Sequence, residues 1–66
     1  MPSSVVAAIN YFPETSVLRV VFVSGNIYDY KKVPESVYLQ MKSARSKGKY
    51  LNEHIKRNYN YEQVNK

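Results

Sequence analysis

Residues 17–30 read Val-Leu-Arg-Val-Val-Phe-Val-Ser-Gly-Asn-Ile-Tyr-Asp-Tyr, and this stretch decides the fold. β-Branched residues dominate Val17 to Val23, and such side chains suit a pleated, half-buried surface. Ser24-Gly25-Asn26 follows, where glycine and asparagine tolerate the positive φ of a tight turn. Ile27 to Lys32 then makes the next strand. A connection this short joins antiparallel neighbours, since parallel strands need a long crossover. Side chains alternate along a strand. Leu18, Val20 and Phe22 therefore share one face, and Tyr28 and Tyr30 join them as the expected core. Val17, Arg19, Val21 and Val23 point the other way. Three valines there make an apolar strip, and such strips mark partner surfaces.

Upstream, Val5 to Tyr11 is also rich in β-branched residues, and Phe12-Pro13-Glu14-Thr15 supplies the corner, with Pro13 presetting φ. Downstream, the period changes. Pro34 suits a first helical turn. Val37, Met41 and Ala44, with Tyr38 beside them, form one stripe at helical spacing. Glu35 and the pair Lys42 and Arg45 match the two ends of the helix dipole. A helix is expected over 34–45. Ser46-Lys47-Gly48 breaks it, and a shorter helix is expected over 49–57 with Leu51 and Ile55 inward. Tyr59 or Tyr61 can fold back onto the core. The expected fold is α+β: a three-stranded antiparallel meander followed by two helices packed on one face.

The chain has 66 residues and no cysteine. So short a chain buries only about 60% of its unfolded surface. Disulfides and cysteine-based zinc sites are excluded, and with a single histidine, His54, so is a His-rich metal site. Seven tyrosines and two phenylalanines favour a core of large rings. No apolar run approaches the ~20 residues that cross a bilayer, and no basic segment precedes an apolar stretch at the start. These features point to the cytoplasm. No membrane, cofactor or small-molecule partner is expected.

Charge is lopsided. The formal net charge is +5, yet residues 1–30 carry one excess negative charge. The positive excess lies wholly in residues 31–66. Such a half favours polyanionic partners, although basic side chains also simply solvate helix faces. Ser46-Lys47-Gly48-Lys49 is the best candidate contact. Ser46 and Gly48 can present amides to phosphate, with Lys47 and Lys49 adding charge. The same residues equally suit a helix cap and a tight interhelical turn. Tyr50 is a candidate for stacking on a base, and Lys56 and Arg57 can continue the stripe. The glycine spacing is not that of a P-loop. No base stands oriented beside a nucleophile, and the five carboxylates form no evident acid–base pair. The chain is read as a binding module, not an enzyme.

The order of residues also resembles a known family. Ser3-Ser4 leads an Ile/Val-rich strand ending in Tyr11. Leu18-Arg19-Val20-Val21-Phe22, Gly25, Tyr28-Asp29-Tyr30, Val33-Pro34 and Val37-Tyr38 follow. Ala44-Arg45-Ser46-Lys47-Gly48-Lys49-Tyr50, Asn52, Ile55 and Tyr59 complete the pattern. This closely resembles the KTSC domain, named for the C-terminal region of some lysyl-tRNA synthetases, over residues 3–61. Residues 62–66 are expected to be a frayed polar tail. Leu51 departs from the pattern, which has an aromatic there, so no stacking role is carried to that position. The resemblance implies a free-standing bacterial or phage protein or a synthetase appendage, with RNA as the suggested partner. Two binding expectations result. One is RNA or another polyanion on the basic helical half. The other is a protein partner, or a second copy, on Val17, Val21 and Val23 or on a strand edge.

Overall fold

The computed structural model describes residues 6–65. Val5, read as the start of the first strand, lies outside them. Strands β1 (Val6–Phe12), β2 (Val17–Phe22) and β3 (Ile27–Tyr30) form the expected antiparallel meander. Helix α1 (Glu35–Ser43) and helix α2 (Lys47–Tyr50) follow, and α2 continues directly into a π-helical turn (Leu51–Ile55). A fourth strand, β4 (Tyr61–Gln63), pairs antiparallel with β3.

The fourth strand corrects the expected three. It falls in the segment read as polar and prone to fray. Nothing β-branched marks Tyr61-Glu62-Gln63, so its pairing comes from what it meets. The Lys31 amide donates to the Asn60 carbonyl at 2.8 Å, and the Val64 amide to the Ile27 carbonyl at 2.8 Å. The Tyr61 ring packs 5.0 Å from Tyr28 and 5.5 Å from Tyr30. The Asn65 side chain then accepts from the Ile27 amide and donates to the Gly25 carbonyl. A free edge of β3 and two tyrosine faces hold a strand that propensity alone does not favour.

The core face is as read from the alternation. Leu18 stands opposite Tyr30, and Val20 opposite Tyr28. Leu18, Val20 and Tyr30 are buried, while Phe22 and Tyr28 pack half-buried against them. Strict alternation from Val6 would turn Ala8 and Asn10 inward. A register shift between Val6 and Ala8 resets the strand, as a bulge does. Ile9 and Tyr11 then face Val20 and Leu18. Met41 from α1, Leu51 and Ile55 from the π turn, and Val33 complete the buried cluster.

Three turns carry positive φ. Gly25 has φ +99, open to glycine at no steric cost. Ser16 and Lys32 both have φ +56. Lys32 turns the chain out of the sheet, so β3 ends at Tyr30 rather than at the expected Lys32. The Val33 amide then donates to the Ser16 carbonyl at 2.8 Å, tying the two turns together. Pro34 caps α1 from outside with ψ 151, so the helix starts one residue later than expected and ends at Ser43.

Candidate nucleic-acid interface

Residues 44–46 join α1 to α2. Ser46 is the N-cap of α2, and its Oγ accepts from the Lys49 amide at 3.2 Å. The second helix therefore starts two residues earlier than expected. That moves Gly48 out of the interhelical turn and into the first helical turn, where it is buried. Gly48 is a packing residue, not an exposed anion contact, which corrects its expected place in the site. Lys47 is half-buried and Lys49 exposed.

A notch of about 370 Å³ opens where the α1–α2 connection meets one face of α2 and the π turn, lined by Ala44, Arg45, Ser46, Lys49, Tyr50, Glu53 and His54. Ser46, Lys49 and Tyr50 of the expected set thus come together. Lys47, Lys56 and Arg57 do not line the notch. The latter two are exposed beyond the π turn. Arg45, Glu53 and His54 were not read as site residues. The signal available was spacing: Lys49 with Glu53 and Tyr50 with His54 are four apart, on one helix face.

Tyr50 is held in place. Its hydroxyl donates to Gln40 Oε1 at 2.9 Å, and its ring lies 4.6 Å from the His54 ring at 38°. One flank of Tyr50 is therefore occupied by His54, and the exposed ring of the pair is the imidazole. Leu51 is buried and takes no part in the notch, since it faces the sheet.

The two halves of the molecule treat charge differently. Arg19 bonds both carboxylate oxygens of Asp29, at 2.8 and 3.0 Å, and Lys31 pairs with Glu62 at 3.1 Å. The Asp29 carboxylate raises the Arg19 pKa further through that hydrogen bond. Among the described residues, Arg45, Lys47, Lys49, Lys56 and Arg57 make no ion pair.

The outer sheet face is less apolar than its valines imply. Val17 and Val21 are half-buried and Val23 is exposed. Arg19 lies between Val17 and Val21 on that face, bonded to Asp29 and 5.2 Å from the Phe12 ring. Among the described residues no cluster of three His, Asp or Glu could hold a metal ion, and no helix is long and apolar enough to cross a membrane.

A sequence model of the KTSC domain matches residues 2–59. A segment of the lysine–tRNA ligase of a Nostoc species is 43% identical over 61 residues, covering 92% of this chain. The chain spans only 11% of that ligase's length. An uncharacterised protein of Stutzerimonas stutzeri is 36% identical, over 92% of this chain and 87% of its own. The crystal structure of a KTSC domain protein from Yersinia pestis superposes with a TM-score of 0.83 at 30% identity, covering 97% of this chain and 93% of that one. The family match spans β1 to β3, both helices and the whole notch, and the chain belongs to the KTSC domain family.

Proposed function

We propose that this domain binds RNA through its helical half and performs no catalysis. The carrying observation is the set of cationic side chains, Arg45, Lys47, Lys49, Lys56 and Arg57, that pair with no carboxylate among the described residues, while Arg19 and Lys31 on the sheet do. Unpaired surface cations release counterions when they meet phosphates, and that release drives binding. Lys47, Lys49, Lys56 and Arg57 contact phosphates in this reading. Ser46 uses an oxygen lone pair on the Lys49 amide and keeps its hydroxyl proton to donate. Tyr50 supports a stacking surface with His54. Phosphate contacts position a strand without reading its sequence. Relatives named lysine–tRNA ligase carry a matching segment, which fits an accessory role beside a tRNA. The cytoplasm is the compartment this reading requires.

The test is the double variant Lys47→Glu with Lys49→Glu, followed by fluorescence anisotropy against a labelled tRNA transcript. Two reversed charges at phosphate contacts should weaken binding by about tenfold or more at low salt. Unchanged affinity in a folded variant would remove the interface.

A second reading rests on the uncovered outer face, where Val23 is 68% and Phe12 39% exposed. A protein partner or a second copy would sit over Val17, Val21 and Val23. In that case Val21→Asp abolishes the association and leaves RNA affinity intact.

A further inference from the structure

We propose that the notch formed by the α1–α2 connection, α2 and the π turn takes one nucleotide of single-stranded RNA, with its base on the Tyr50–His54 ring pair, its donor edge at Glu53 and its phosphate at Arg45 and Lys49. This rests on the RNA-binding reading above and adds a base preference to it.

Size comes first. A notch of about 370 Å³ lies at the small end of ligand pockets, roughly 300–1,000 Å³. It suits one base and its phosphate, not a helix. Double-stranded RNA hides its base edges, whereas a single strand can splay a base out to stack on an aromatic ring. Here the platform is already built. The Tyr50 ring is 4.6 Å from His54 and its hydroxyl is fixed to Gln40. A surface ordered before binding loses little freedom on binding. His54 is exposed and offers its outer face to the incoming base.

Charge sets the orientation. The notch holds two cations, Arg45 and Lys49, and one carboxylate, Glu53. None of the three is ion-paired among the described residues. A plain phosphate site gains nothing from a carboxylate, which repels the ligand. A nucleotide site does, because a base edge carries N–H donors. Carboxylates accept from the cytosine amino group. Guanine matches better still, since its ring N–H and amino group are adjacent and meet two carboxylate oxygens. Adenine sets an acceptor beside its amino group, and uracil sets carbonyls on both sides of its one N–H. The order of preference is guanine, then cytosine, then adenine and uracil.

The test titrates the full chain with the pentaribonucleotides UUGUU, UUAUU and UUUUU by anisotropy and amide NMR. UUGUU should bind about tenfold tighter than the other two, the discrimination of one good bidentate pair. Glu53→Gln should erase that difference, and His54→Ala should weaken all three. Both side chains are exposed, and the amide spectrum of each variant reports that the fold is kept. Equal affinity for all three RNAs, or a guanine preference that survives Glu53→Gln, overturns the nucleotide site and leaves the polyanion reading standing. No binding of any RNA overturns both.

Discussion

Tyr11 lies face to face with Tyr38, ring centroids 5.2 Å apart and planes 13° from parallel, and its hydroxyl donates to the Val33 carbonyl at 2.6 Å. One side chain thus joins the first strand to α1 and to the segment that leads into it. This relationship holds α1 over the sheet, and the connection that lines the notch follows α1 directly.

Removing the hydroxyl or the ring should separate those contributions. Tyr11→Phe loses one hydrogen bond and strands the Val33 carbonyl, at a cost of about 1 kcal/mol. Tyr38→Ala loses the stacked ring and its buried area, at a cost of about 3 kcal/mol. Urea unfolding midpoints measure both. A midpoint unchanged in Tyr38→Ala would mean that the helix is held elsewhere.

Tyr30 makes stability fall in alkali. Burial, then the nearby phenols of Tyr61 and Tyr28, push its hydroxyl up to about 12 from 10.0. Below pH 10 both folded and unfolded chains keep the proton. Between pH 10 and 12 the unfolded chain loses it and the native chain does not. The native state then binds more protons, so stability declines across that window, by up to about 2–3 kcal/mol. Urea midpoints on either side of the window should converge more closely in Tyr30→Phe than in the parent chain. An identical decline in both would remove Tyr30 as its cause.

The fourth strand should matter to the hairpin it joins. Asn65→Ala removes the contacts to the Ile27 amide and the Gly25 carbonyl, and Tyr61→Ala removes the ring between Tyr28 and Tyr30. Each should cost about 1 kcal/mol. Hydrogen exchange at the Ile27, Lys31 and Val64 amides reports the opening directly, and unchanged exchange would count against the fourth strand.

Ser46 has a structural task that RNA binding can be separated from. Ser46→Ala removes the cap and should cost about 1 kcal/mol, whereas Ser46→Gly costs only a few tenths. If the hydroxyl also donates to phosphate, both variants lose the same RNA affinity despite their different stabilities. Thermal melts and anisotropy on the two variants distinguish these effects.

The sheet was legible because its signals are local. Alternation in residues 17–30 placed Leu18, Val20 and Tyr30 inside, and the period of Val37 and Met41 placed α1. β4 was not legible, since Tyr61-Glu62-Gln63 has no pattern of its own and is ordered by partners far away in the chain. The notch was half legible. Ser46, Lys49 and Tyr50 stood in one short motif, whereas Glu53 and His54 carry only the four-residue spacing to Lys49 and Tyr50, which any helix face shows. Gly48 was misplaced because the helix starts at Lys47 rather than at Lys49. Glycine after a polar run reads as a turn, yet here it lies buried in the first turn of α2.

An amide NMR titration of the full chain with tRNA, at low and at moderate salt, tests RNA binding by the helical half most directly. Shifts should concentrate in residues 45–57, with affinity falling as salt rises at a log–log slope of about −3, as four phosphate contacts require. An absence of shifts at low salt, or shifts centred on Val17, Val21 and Val23, would contradict it.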